Sequence, residues 1–117
     1  MEMPIEGAHD EIVAEVSSWD GVTIATHRFG GTEFRLSRRE LGHMHGNYQA
    51  DIPFPKTLRD NLVSEGKAEP HHILPESGWV TFRLVDLKDV GKAIELFRLS
   101  YESAISKNEI PKKCPPV

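Results

Sequence analysis

The chain has one cysteine, two tryptophans and two tyrosines among 117 residues, and it has no long apolar run. A single cysteine, Cys114, excludes an intramolecular disulfide framework and a metal cluster built on cysteines. It lies in a tail rich in proline and lysine, where a catalytic thiol would lack the structured surroundings that activate it. No stretch approaches the roughly 20 apolar residues of a membrane span, and residues 1–10 contain no signal-peptide hydrophobic region. We therefore expect an intracellular, cytoplasmic protein with no membrane partner.

Basic residues are also in the minority, since 14 Lys and Arg stand against 18 Asp and Glu, a net charge of −4. Proteins that bind nucleic acids usually carry a strongly basic face. The acidic balance therefore disfavours a general nucleic-acid partner. A local basic patch at Arg35, Arg38 and Arg39 keeps nucleic-acid binding as an alternative, although Arg38 and Arg39 also fit a solvated turn.

Histidine, in contrast, is abundant, with six residues. Four of them form two pairs: His43 and His45 are separated by one residue, and His71 and His72 are adjacent. Imidazole is the side chain best suited to metal binding or proton transfer near neutral pH. If the two pairs converge in space, they form the best candidate site; if they do not, the sequence says little about function beyond the fold.

A length of 117 residues with 38% hydrophobic residues fits one domain with an ordinary core. We expect that domain to span residues 10–107, between flexible tails at 1–9 and 108–117. The periodicities predict, in chain order, a helix over 10–18, strands over 22–29, 32–36, 40–45 and 48–52, a helix over 56–65, a strand over 78–84 and a helix over 87–106. Residues 68–78 are predicted to be mostly loop, with a brief pairing at 72–74. Short connections imply an antiparallel sheet, so the fold class is α+β: two layers, with a mainly antiparallel sheet of about five strands covered by about three helices.

Alternation along the third strand predicts that Leu41, His43 and His45 share one face. Two histidines on one face of a strand can reach the same metal ion, and His71 or His72 could supply a third ligand. Asp51 could add a carboxylate, and such a set suits zinc, iron or nickel. This pattern is compatible with a transition-metal cofactor. It also fits a structural role, in which His43 and His45 are half-buried strand residues bonded to backbone or carboxylate and His71 and His72 cap a loop.

Two further chemistries stay open. His43 or His45 could transfer a proton, with Asp51 or Glu40 as the orienting partner, although no nucleophile motif accompanies them. Alternatively, the uncovered face of the sheet could form a binding groove, because arginine and aromatic residues are enriched in binding hot spots. The ligand-binding candidates are Arg35, His43, His45, Tyr48, Asp51 and Trp79.

The chain resembles the luciferase-domain family, small and largely uncharacterised bacterial and fungal proteins. The matching segments are Arg28–Leu36, Arg39–Gly46, Asp51–Lys56, Glu69–Pro75, Ser77–Leu84 and Leu96–Tyr101. The family name is a label, and none of these residues indicates light emission. A more distant likeness is to the MmcQ/YjbR-like proteins, on the strand at Trp79, the acidic turn at Asp86 and the pair Ser100–Tyr101. That likeness implies a compact α+β double-wing fold, in which we expect Ser100 and Tyr101 to anchor the last helix.

The leading hypothesis is a ligand- or partner-binding module, because the motifs lack a complete catalytic constellation. The first alternative is a metal-dependent enzyme that uses His43 and His45 with His71 or His72. The second is a nucleic-acid-binding protein. A thinly covered sheet face would also allow a homodimer.

Overall fold

The structure, a computed structural model, describes residues 6–26 and 31–108. Within these ranges the elements are α1 (Ala8–Ser17), β1 (Val22–Thr26), β2 (Thr32–Leu36), β3 (Arg39–His45), β4 (Gln49–Pro53), α2 (Lys56–Ser64), β5 (Glu69–Pro70), β6 (Trp79–Arg83) and α3 (Lys88–Asn108). The strands form one sheet in the order β1-β2-β3-β4-β6-β5, and all neighbouring strands are antiparallel. The predicted two-layer α+β fold is therefore confirmed.

The bounds and number of the elements differ from the sequence prediction in some details. The sheet has a sixth strand, β5, in which Glu69 and Pro70 pair with β6. This short pairing falls before residues 72–74, because the chain bends at His72 and Ile73. Helix α1 begins at Ala8, earlier than predicted, because the Ala8 side chain is buried in the core. The predicted strand end at 27–29 and Gly30 lie outside the described residues.

The apolar core lies between the helices and one face of the sheet. Every second strand residue points to this face, so Phe34, Met44, Ile52 and Val80 are all fully buried. Phe34 meets Phe97 of α3 edge-on, with ring centroids 5.1 Å apart. Burying this apolar face is the main source of stability, at about 25 cal/mol per Å² removed from water.

An irregularity in β3 changes which side chains reach the core. The pairing register of β2 and β3 shifts between Phe34 and Arg35, so that Phe34 lies opposite Gly42 and Arg35 lies opposite Glu40. Leu41 is left as the extra residue of a β-bulge. Its side chain is fully buried in the apolar core.

The prediction that Leu41 shares a face with His43 and His45 is therefore wrong, because strict alternation fails at the bulge. The same irregularity brings the Glu40 carboxylate beside the His43 ring. Strict alternation would place Glu40 on the face of the sheet that packs against the helices. Its carboxylate instead contacts His43 on the opposite face, the polar face.

Gly42 makes the bulge sterically feasible. Its φ of +138° lies in a region that other residues rarely adopt. A Cβ atom there would lie 2.7 Å from the Phe97 ring and 2.9 Å from the carbonyl oxygen of Asp51. Only glycine fits this position without displacing the core.

Two polar side chains attach helix α3 to the rest of the fold. The Ser100 hydroxyl donates to the carbonyl oxygen of Leu41 at 2.9 Å, and the carbonyl oxygen of Pro53 lies 3.3 Å from it. Tyr101 is buried and donates its hydroxyl to the carbonyl oxygen of Asp20 at 2.7 Å. The predicted anchoring role of Ser100 and Tyr101 is confirmed.

The start of α3 is fixed by Asp89. Its carboxylate accepts the backbone N–H groups of Val85 at 2.8 Å and of Asp86 at 3.1 Å. Burial alone would raise the pKa of Asp89, but these two hydrogen bonds outweigh it and lower the pKa.

In the described parts of the chain, no helix is both long and apolar enough to cross a membrane.

Candidate metal centre

The face of the sheet away from the helices carries a cluster of histidine and carboxylate side chains. The register places His43 of β3 opposite Asp51 of β4, and Asp51 opposite Thr81 of β6. His71 joins them from the loop that follows β5. Three adjacent strands and one loop therefore build the site.

Asp51 is the centre of the cluster and is 1% exposed. Its Oδ2 atom lies 2.9 Å from Nε2 of His45 and 3.4 Å from Nε2 of His43. Its Oδ1 atom accepts a 2.8 Å hydrogen bond from Thr81, and the Gln49 amide lies at 3.4 and 3.3 Å from the two oxygens. Burial alone would raise the pKa of Asp51, but the hydrogen bonds it accepts, first of all from His43, outweigh burial and lower the pKa. The carboxyl group is therefore ionised.

His43 is held between two carboxylates. Its Nδ1 atom lies 2.6 Å from Oε2 of Glu40, while Nε2 faces Asp51. An ionised carboxylate only accepts hydrogen bonds, so Nδ1 carries the proton donated to Glu40. Burial opposes protonation of the ring, but the hydrogen bonds to Asp51 and Glu40 outweigh it and raise the pKa of His43 to about 9. In the metal-free chain the ring is an imidazolium at neutral pH.

His45 presents its Nε2 atom to the same carboxylate oxygen from a more open position. Its side chain is 26% exposed, compared with 9% for His43. The two rings lie nearly perpendicular, with centroids 4.9 Å apart. Both Nε2 atoms therefore converge on Oδ2 of Asp51 from different directions.

His71 has a different hydrogen-bonding pattern. Its Nδ1 atom accepts the backbone N–H groups of Ile73 and Leu74, both at 3.1 Å. In the neutral ring the proton is therefore on Nε2, which lies 3.8 Å from Oδ1 of Asp51. Burial has the largest effect on the pKa of His71 and lowers it. The negative charge of Asp51 acts in the opposite direction, and the neighbouring histidines lower the pKa further. His71 is thus a neutral N–H donor that faces the cluster.

His72 stands at the edge of the site. Its ring stacks on that of His71 with centroids 4.5 Å apart, and its Nδ1 atom lies 3.4 Å from the Thr81 hydroxyl. It is exposed to solvent. The two histidine pairs, far apart in the chain, therefore converge on Asp51.

The remaining candidate residues fall in different places. Trp79 lies beside the cluster, with its ring centroid 5.6 Å from that of His43 and 6.0 Å from that of His71. Arg35 is engaged by the Glu33 carboxylate and by the carbonyl oxygen of Arg38, the latter at 2.8 Å. Tyr48 lies in the turn between β3 and β4, where it is half exposed.

Sequence reasoning missed three polar residues around Asp51. Thr81 bonds directly to the carboxylate, and Gln49 lies against it. Arg83 in turn donates to the Gln49 amide oxygen at 3.0 Å. Period-two alternation outward from Asp51 and Trp79 would have placed all three on the polar face.

Two sets of side chains could hold a metal ion, and both contain Asp51. One adds His43 and His45, the other His71 and His72, and within each set the ligand atoms lie within 4.8 Å of one another. Bonds of about 2.0–2.1 Å separate the ligand atoms of a tetrahedral ion by about 3.3 Å and those of an octahedral ion by about 2.9 Å. The 3.4 Å distance from Nε2 of His43 to Asp51 is close to the tetrahedral separation and the 2.9 Å distance from Nε2 of His45 to the octahedral one, so the two distances do not select one geometry.

The segment that carries this site matches a known protein family. A family model described as the luciferase domain matches residues 38–100, more than half of the chain. The chain belongs to the luciferase-domain family. A search of curated proteins finds no match, and a search of solved structures finds none either.

The luciferase-domain segment contains the complete cluster. It begins just before β3 and ends at Ser100 in α3. It therefore includes both histidine pairs, the central carboxylate and Ser100, whereas α1, β1, β2 and Tyr101 lie outside it.

Proposed function

We propose that this protein binds one divalent transition-metal ion through His43, His45 and Asp51, and that the bound ion binds a small-molecule ligand. The observation that carries the proposal is the convergence of two Nε2 atoms on one buried carboxylate oxygen, at 3.4 and 2.9 Å. Two histidines and one carboxylate occupy one side of an ion and leave coordination positions open for a ligand.

The partner of His43 supports this ligand set. A histidine that ligates a metal usually donates its other N–H group to a carboxylate, which fixes the ring and its tautomer. Glu40 accepts from Nδ1 of His43 at 2.6 Å. The Nε2 atom of His43 is therefore directed toward the Asp51 carboxylate, where the ion would replace a proton.

The second set, Asp51 with His71 and His72, is less suitable. The Nδ1 atom of His71 accepts two backbone N–H groups, so ligation through Nε2 would leave the ring without a proton on either nitrogen. His72 is exposed, and its Nδ1 atom is directed at Thr81. We therefore assign the ion to the first set.

Metal-dependent catalysis is the alternative that the same geometry supports, because an ion with open positions can polarise a bound molecule. A metal-free role is the competing interpretation. It is favoured by the imidazolium form of His43, whose single positive charge lies between the Glu40 and Asp51 carboxylates without any ion. A measurement of metal binding by the purified chain distinguishes a metal site from the metal-free role.

The test is calorimetric titration of untagged, metal-free protein with Zn(II) and Co(II). The wild type is expected to bind one equivalent. His45→Ala, which removes the most exposed of the three ligands, is expected to weaken binding by more than about 100-fold, beyond the usual effect of an outer-shell partner. His72→Ala serves as the matched control and should leave the affinity unchanged. Absence of binding by folded wild-type protein would favour the metal-free role, and loss of binding in His72→Ala would favour the second ligand set.

A further inference from the structure

The orientation of His71 is determined by the backbone of its own loop. Two N–H groups, from Ile73 and Leu74, point at Nδ1, each at 3.1 Å. Rotating the ring by half a turn would put the Cδ2–H group in place of Nδ1, and moving the proton to Nδ1 would place a third donor against the two loop donors. Either change would break both bonds. The Nε2–H group is therefore the one that His71 offers to the site.

That N–H group has no short contact with the carboxylate it faces. The Nε2 atom lies 3.8 Å from Oδ1 of Asp51, beyond hydrogen-bonding distance, while Thr81 occupies Oδ1 at 2.8 Å. His71 is 8% exposed. The centroid of its ring lies 4.5 Å from that of His72 and 6.0 Å from that of Trp79. A buried, fixed donor thus faces the cluster beside the proposed ion.

Charge indicates what this donor would bind. Asp51 is the single carboxylate among the three proposed ligands, so a divalent ion would keep positive charge on its open side. Glu40 lies behind His43, where it accepts from Nδ1. A ligand oxygen that carries negative charge would satisfy both the ion and the N–H donor, because hydrogen bonds to charged acceptors are the strong ones.

On this basis we infer that the site takes a carboxylate-type oxyanion, with an oxygen on the ion and a hydrogen bond from Nε2 of His71. The inference rests on the proposed metal site and assigns His71 to the ligand rather than to the metal. It also explains why the loop holds the ring by Nδ1, since this leaves Nε2–H as the donor.

The test uses the Co(II)-loaded protein in a carboxylate-free buffer and acetate as the probe, followed by the visible absorption of Co(II). His71→Asn is the informative variant, because the Asn oxygen can take the place of Nδ1 and keep accepting the loop N–H groups, while Nε2–H is lost. We expect unchanged Co(II) affinity and acetate binding weakened by about 10- to 100-fold, the loss of one hydrogen bond to a charged group. The matched control, His72→Asn, should bind acetate as the wild type does.

The outcomes separate this inference from the proposed function. Wild-type protein that binds Co(II) but shows no spectral response to acetate contradicts the inference and leaves the metal site standing, as does equal acetate affinity in wild type and His71→Asn. Loss of Co(II) in His71→Asn would make His71 a metal ligand and overturn its role as donor. Wild-type protein that takes no Co(II) overturns both.

Discussion

At the centre of the sheet, the two faces are buried to the same degree and carry opposite chemistry. Ile52 and Val80, which face the helices, are both 0% exposed. Their neighbours in sequence, Asp51 and Thr81, face the other way and are each 1% exposed. One face is closed by apolar packing, and the other is closed by hydrogen bonds between ionisable groups.

This difference indicates what each face is for. Burial of apolar side chains stabilises the fold in proportion to area. Burial of a charged cluster is weak evidence for stability, because desolvation offsets most of the attraction between the charges. Apolar residues could cover the second face at least as well, so the cluster around Asp51 is better explained by a ligand than by folding.

The largest expected effect is on the apolar face. Phe97→Ala removes a ring that is fully buried against Phe34, and we expect it to lower the free energy of unfolding by about 3–5 kcal/mol. Urea denaturation measures this loss. Leu99→Ala, at a partly exposed position of the same helix, should cost much less. Equal losses in the two variants would contradict the assignment of the core.

A smaller effect is expected on the polar face, and in a different quantity. Glu40→Ala removes the acceptor of the His43 Nδ1 proton, and we expect Co(II) affinity to fall by about 10- to 100-fold. The free energy of unfolding should change by no more than about 1 kcal/mol, because Glu40 is partly exposed. The control is Glu76→Ala, which removes an exposed carboxylate of the loop before β6. If Glu40→Ala destabilises the fold but keeps full Co(II) affinity, the polar face serves stability.

The smallest effect concerns the attachment of the helical layer and depends on pH. Asp89→Ala removes the acceptor for two backbone N–H groups, and we expect a loss of about 1–2 kcal/mol near neutral pH. The pKa of Asp89 is lowered from the ordinary value of 3.8, so its contribution is complete above that value and is lost as the pH falls through the lower, folded value. Denaturation curves of variant and wild type should therefore converge in acid.

The matched control for this pH dependence is Asp86→Ala. It removes an exposed carboxylate and keeps the backbone N–H group that Asp89 accepts. Its stability should stay parallel to that of the wild type over the acid range. A constant difference between Asp89→Ala and wild type down to low pH would show that the carboxylate charge is not involved.

Local periodicity was sufficient to predict most of the fold. The alternation of β6, with Trp79 and Thr81 on one side and Val80 and Phe82 on the other, appears in the structure as predicted. Alternation failed at Leu41, because a β-bulge depends on how two strands pair and on the space that Gly42 leaves beside Phe97. The likeness to MmcQ/YjbR-like proteins stays a prediction from the motif.

The site was predictable in composition but not in assembly. His43, His45 and Asp51 could be chosen because two neighbouring strands bring them together. The approach of His71 depends on the path of a loop, which sequence periodicity does not describe. Its role as donor or ligand depends further on two backbone N–H groups, which are invisible in the identity of the side chain.

The central claim is that a metal ion binds to the polar face through His43, His45 and Asp51. Anomalous diffraction from crystals grown with Co(II) tests it most directly. The account predicts a single strong peak bounded by Nε2 of His43, Nε2 of His45 and the carboxylate of Asp51, with bonds of about 2.0–2.2 Å. A peak between His71 and His72, or no peak near Asp51 at saturating Co(II), would contradict it.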